Sequence, residues 1–188
     1  MQAYVFWHRP LPGVARNDYE VSLHRFHEEL AATGTPGLAT SSSARLSQPP
    51  FTWPTTGPDD DSPTYEDWYL IEDGAALDAL ELAAVSAARA LHDAAAALAG
   101  AGSAGLYRLV AGTHDHRARC ATWSDLAGGQ SRQQWESALA ARTGEPGSPV
   151  AALWVRRLTL GPAPEFCLVG PGGDGLEGSV EIERRLVT

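Results

Sequence analysis

Two stretches about a hundred residues apart carry nearly the same string. One reads Leu30-Ala31-Ala32-Thr33-Gly34-Thr35-Pro36-Gly37, the other Leu139-Ala140-Ala141-Arg142-Thr143-Gly144-Glu145-Pro146-Gly147. Each closes an amphipathic segment. Each is followed by a strand-like run that contains a related tripeptide, Arg45-Leu46-Ser47 or Arg157-Leu158-Thr159. An internal repeat constrains architecture more than any single motif, because it implies one supersecondary unit used twice.

The elements around the repeat follow from periodicity and punctuation. Residues 3–9 are aromatic and β-branched and read as a strand ended by Pro10 and Pro12. Asn17 and Glu20 form a capping-box pattern, and Tyr19, Leu23, Phe26 and Leu30 recur at helical spacing up to the stop at Gly34 and Pro36. Strands are expected over 38–46 and 65–72, separated by a Pro-, Thr- and Asp-rich loop over 47–63 that has the composition of a lid. Asp73 opens one long Ala-rich helix from 75 to 99, with a seam of Leu77, Leu80, Ala84, Ala87, Leu91, Ala94 and Leu98. The second half restarts with a strand at 106–110 and a polar connection over 113–129. A capping box follows at Ser131 and Gln134, then strands over 150–159, 165–170 and 180–187. In this alignment Trp68–Ile71 matches Phe166–Val169, Tyr107-Arg108 matches His8-Arg9, and the second copy has only a Gly-rich turn where the first has its long helix.

Each copy therefore reads strand, helix, strand, strand, then helix or turn, which is most of a split βαβ unit. This order, with the Leu-Ala-Ala…Gly-x-Pro-Gly repeat, resembles the dimeric α/β-barrel superfamily in tandem-fused form. The resemblance implies an α+β fold: two ferredoxin-like repeats, residues 1–103 and a degenerate 104–188, forming one antiparallel sheet system with helices on one face. The chain would be a monomer or a homodimer. Members of that superfamily include cofactor-free monooxygenases, cyclases, isomerases and haem-binding enzymes, commonly with a pocket between sheet and helices, so the fold alone does not select the chemistry.

Composition removes several function classes. The formal net charge is −9 and the pI about 5.0, which argues against a nucleic-acid or anionic-membrane partner. All 14 basic residues are Arg, so a phosphate-loop lysine, a Schiff-base lysine and a lysine general base are excluded. Cys120 and Cys167 make no disulfide framework, and the short apolar run at the N-terminus lacks the basic start of a signal peptide. A cytoplasmic setting is the expectation. No residue pattern requires a cofactor; haem would need an axial histidine.

Among individual residues, Gly100-x-Gly102-x-x-Gly105 matches the dinucleotide fingerprint as text, but it follows a helix where the fingerprint must follow a strand, and it reads as a helix stop. His24 with His27, and His114 with His116, have metal-ligand spacings but no further ligand motif, and they read as polar surface. His8 is the candidate proton-handling residue. Alternation puts Tyr4, Phe6 and His8 on one strand face, and Val5, Trp7 and Arg9 on the other. Tyr69, sharing a face with Tyr65 and Asp67, is the second catalytic candidate; its counterpart in the alignment is Cys167. Phe6, Trp68 and Trp53 are the candidate aromatic walls of a small apolar ligand site. Arg156 and Arg157 could clamp a carboxylate, but a surface ion pair with the acidic residues is the expectation. The expected function is cofactor-independent oxygenation, isomerisation or cyclisation of a hydrophobic small molecule; the alternative is a non-enzymatic fused barrel that binds a ligand or a protein.

Overall fold

The structure is a computed structural model that describes residues 1–54, 62–126, 128–143, 150–170 and 179–188. Along the chain these form β1 (Gln2–Pro10), α1 (Arg16–Ala32), β2 (Leu38–Leu46), β3 (Tyr65–Ile71), α2 (Ala75–Val85), α3 (Arg89–Ala96), β4 (Ala99–Gly112), β5 (Cys120–Ser124), α4 (Arg132–Ala140), β6 (Ala152–Leu160), β7 (Phe166–Val169) and β8 (Val180–Leu186). The strands close into an antiparallel barrel in the order β1-β3-β2-β8-β5-β7-β6-β4. It comprises two arcs, β4-β1-β3-β2 and β8-β5-β7-β6, and each arc places its fourth strand beside its first, then its third, then its second. Closure removes the free edges that an eight-stranded antiparallel sheet would otherwise expose.

Several expected boundaries move, each for a local reason. The α1 N-cap is Ala15, with no side-chain cap, so the Asn17–Glu20 capping box does not form. Glu20 instead accepts from Arg45 Nη1 at 3.0 Å and Tyr65 OH at 3.1 Å, partners on β2 and β3 that outcompete a local turn. The Ser131–Gln134 box does form at α4. The long helix expected over 75–99 breaks at Ser86, whose backbone leaves the helical region (φ −125, ψ −88). Its buried seam slips by one residue across the break, from Ala76 and Leu80 to Ala88 and Ala95, and leaves Ala87 and Ala94 exposed.

The glycine-rich segment is not a helix stop but the first half of β4, paired with β1 from Ala99 to Arg108. Small residues are needed there: a Cβ on Gly102 would lie 2.7 Å from the Phe6 ring. Residues 103 and 104, the expected division between copies, both lie inside β4. The polar connection over 113–129 hides β5, a strand of 5 residues between charged neighbours and too short to show a period. The Gly-rich turn of the second copy, and residues 55–61 of the expected lid, lie outside the described residues.

The barrel interior is aromatic. Trp7, Trp68, Trp123, Trp154 and Tyr107 are almost wholly buried and share one cluster with Trp53. Within it lies a charge pair. Glu66 and Arg184, both side chains 0% exposed, meet at 3.0 Å. The indoles of Trp7 and Trp68 donate to the same carboxylate at 3.0 and 2.6 Å.

Candidate functional site

The outer face of β1 and β3 lies beneath α1, α2 and α3, and the space between them is a cavity of about 590 Å³. Strand alternation supplies its floor: Tyr4, Phe6 and His8 from β1, Asp67 and Tyr69 from β3. The apolar stripe of α1 adds Tyr19, Leu23 and Phe26. Leu77, Leu80 and Ala84 of α2 and Ala95 of α3 close the roof, with Glu81 and His92 as its polar members.

One buried carboxylate organises the floor. Asp67 is 3% exposed. Tyr69 OH donates to its Oδ2 at 3.1 Å, while His8 Nε2 lies 3.1 Å from Oδ1 and His27 Nε2 3.4 Å from Oδ2. The two imidazole contacts are close ion-pair contacts rather than aligned hydrogen bonds. Behind the rings, His8 Nδ1 meets Tyr19 OH at 2.6 Å and His27 Nδ1 meets Ser41 Oγ at 2.9 Å. Each histidine is therefore held at both nitrogens, between a hydroxyl and the shared carboxylate. Stacking fixes the ring planes: His8 on Phe6 (5.1 Å) and on Tyr65 (5.7 Å), His27 on Tyr69 (5.4 Å).

The electrostatics follow from this packing. Burial pushes the Asp67 carboxyl up, but the attraction of His8 and His27 outweighs it and holds the group well below the usual carboxylate range. Burial, then the Asp67 charge, pushes the Tyr19, Tyr69 and Tyr4 phenols up. They remain protonated at neutral pH and act as hydrogen-bond donors, not as bases. The site thus has an ionised anchor, two oriented imidazoles and a ring of neutral hydroxyls. That arrangement can take a proton from, or return one to, a molecule in a dry apolar space.

The candidates from the sequence separate. His8, Tyr69 and Phe6 line the cavity together. Trp68 and Trp53 do not: both lie in the barrel interior, Trp68 because it neighbours Tyr69 on a strand and must face the other way, Trp53 with its indole donating to Thr64 at 3.2 Å. The matching of Tyr69 with Cys167 also fails, since Tyr69 faces the helices and Cys167 the interior. A one-residue slip exchanges the faces. For the same reason Tyr107, an interior residue beside β1, is no counterpart of His8.

His27 and Asp67 were not named as site residues from the sequence. The signal for His27 was present: it lies four residues after Leu23 and three before Leu30, on the buried stripe. His24 instead pairs with Glu28 at the surface (3.4 Å). His114 turns inward, where Trp154 donates to its Nδ1 at 3.1 Å. Burial, then Arg184 and His116, hold its pKa down to about 3. Arg156 is engaged by Glu165 at 3.4 Å. Among the described residues no group of three or more His, Cys, Asp or Glu is placed to hold a metal ion, and no helix is long and apolar enough to cross a membrane.

The corresponding layer of the other arc holds a packed apolar cluster. Trp135 and Leu139 of α4 fill it against Leu153, Val155, Phe166 and Leu168.

No family model and no curated protein matches the sequence. Solved structures do match the fold. A candidate monooxygenase from Fusobacterium nucleatum superposes with a TM-score of 0.66 at 9% identity, covering 100% of this chain and 92% of that one. A candidate monooxygenase from Lactobacillus acidophilus gives 0.53 at 11% identity, covering 100% and 94%. An anthrone oxidase-like protein gives 0.51 at 8% identity, covering 100% and 91%. The likeness is one of fold. It matches the expectation, from the resemblance to dimeric α/β-barrel proteins, of an α+β chain with an antiparallel barrel and helices outside it.

Proposed function

We propose that this chain is a cofactor-independent monooxygenase or isomerase-type enzyme acting on a small, largely apolar ring compound held between α1, α2, α3 and the β1–β3 face. His8 moves the proton at Nδ1 by way of the Tyr19 hydroxyl bonded to it, Asp67 orients the ring, and Tyr69 holds the carboxylate. The observation that carries this reading is the buried His8–Asp67–His27 cluster opening into an apolar cavity. Cores rarely bury three ionisable side chains unless their charge does something. Two structural neighbours are described as candidate monooxygenases and one as anthrone oxidase-like, which supports the oxygenase branch. In that branch His8 takes a proton from a ring-activated CH2 group. The carbanion adds dioxygen and reduces it to a carbon-bound peroxide, His8 returns the proton to the peroxide oxygen, and the hydroperoxide loses water with the carbon's second hydrogen to leave a carbonyl. In the isomerase branch the same proton returns to a different carbon.

The chain is read as two fused ferredoxin-like units, divided between β4 and β5, since each arc then contains four consecutive strands in the same spatial order. The first unit carries the site and the second supplies the other half of the barrel.

The test is oxygen uptake and product mass with enolisable aromatic ketones and phenols, comparing wild type with His8→Gln. We expect turnover in the wild type and a loss of about 10²–10⁴-fold in the variant, with little change in melting temperature. Equal rates in both proteins, or a collapse of stability on that substitution, would make His8 structural and overturn the reading.

A further inference from the structure

We propose that the cavity selects an organic cation: a ring body bearing a protonated or quaternary amine, seated between Asp67 and the aromatic walls. This rests on the reading of the cavity as a ligand site and specifies the charge of what enters it.

The lining contains Asp67 at the floor and Glu81 toward the roof, and no Arg; the chain has no Lys to offer. Five aromatic side chains, Tyr4, Phe6, Tyr19, Phe26 and Tyr69, present ring surface to the same space. Ring faces attract cations, and more strongly where water is excluded.

The Tyr19 and Ser41 hydroxyls meet the two Nδ1 atoms, both Nε2 atoms face Asp67, and Tyr69 donates to it. The groups around the buried carboxylate are two imidazoles and a phenol, and among the described residues no Arg pairs with it. Its Oδ1, buried in the cavity floor, accepts no aligned hydrogen bond.

The groups facing Asp67 are His8 from β1, His27 from α1 and Tyr69 from β3, with Tyr4 and Tyr19 next beyond. A ligand carboxylate or phosphate would lie beside the Asp67 and Glu81 carboxylates, with no Arg among the described lining residues to pair with it.

Three naphthalene probes of one size decide this by titration calorimetry at neutral pH and low salt: 2-naphthylmethylammonium, 2-naphthylmethanol and 2-naphthoate. We expect the ammonium to bind about tenfold tighter than the alcohol, and the naphthoate not to bind detectably. Asp67→Asn should erase the preference while the alcohol still binds. Glu81→Gln, an exposed change that does not endanger folding, should weaken the ammonium alone, by two- to threefold at most. If the alcohol or the naphthoate binds as tightly as the ammonium in the wild type, the cation inference falls and the cavity reading stands. If no probe binds, both fall.

Discussion

Glu66 and Asp67 are adjacent on β3, both buried, and they face opposite sides of the same strand. Glu66 points into the barrel and meets Arg184, a permanent cation, with two indole donors filling its remaining acceptor sites. Asp67 points outward under the helices and meets two histidines beside a cavity. A carboxylate locked to a guanidinium has one state and serves the fold. A carboxylate shared by two imidazoles is joined to side chains that can carry or release a proton, which is what proton-transfer chemistry uses. Burial alone does not distinguish structure from function; the partner's capacity to titrate does.

The largest effect tests the structural side. Glu66→Ala should cost about 3–5 kcal/mol, because it strands the Arg184 charge in the barrel. In a chain of this size that is roughly 6–20 °C of melting temperature, read by calorimetry or circular dichroism. The double change Glu66→Met with Arg184→Met should recover most of that loss, since replacing a buried pair by apolar groups is often neutral. A Glu66→Ala protein that melts like wild type would remove the distinction drawn here.

Asp67→Asn comes next, with the opposite profile. It keeps the shape and one acceptor, so stability should fall by only about 1–2 kcal/mol, while turnover falls by about 10²–10⁴-fold. Parallel measurements of melting and rate on the Glu66 and Asp67 variants would show whether stability and chemistry separate across the strand.

The third prediction is a pH dependence. The folded-state pKa of Asp67 lies below its ordinary value of 3.8. Its contribution to stability is therefore present in full above about pH 4–5 and is lost as the pH falls below the unfolded value. Wild type should lose its advantage over Asp67→Asn in that window, at up to roughly 1.4 kcal/mol per pH unit, as read from urea midpoints at stepped pH. Parallel curves would contradict the assignment of the depressed value to Asp67.

How much of this the sequence disclosed depends on which periodicity was asked. The period of two in β1 correctly set Tyr4, Phe6 and His8 against Val5, Trp7 and Arg9. The same rule on β3 separates Trp68 from Tyr69, yet both were expected in one pocket. The period of 3.6 places His27 on the buried stripe of α1, yet its proximity to His24 suggested a surface pair. What no local pattern could give was the meeting itself: His8, Asp67 and His27 lie on three elements brought together by barrel closure. β5 and the break at Ser86 were hidden for a different reason, because short strands and Ala-rich helices have too little contrast for their boundaries to show.

The smallest effect sharpens the site's geometry. Gly102→Ala would bring a Cβ within 2.7 Å of the Phe6 ring, which must then tilt away. Because Phe6 stacks on His8, the expected result is a loss of about 1 kcal/mol in stability and a several-fold weaker ligand affinity, measured with 2-naphthylmethanol.

The most direct single measurement is native mass spectrometry of wild type, Glu66→Gln and Ala84→Trp after incubation with 2-naphthylmethanol. Ala84 lines the cavity roof, and a tryptophan there fills the space. The expected result is one bound equivalent in wild type and in Glu66→Gln, and none in Ala84→Trp. Equal binding by Ala84→Trp, or none by wild type, would contradict the claim that the helix-covered face of β1 and β3 is where this protein does its work.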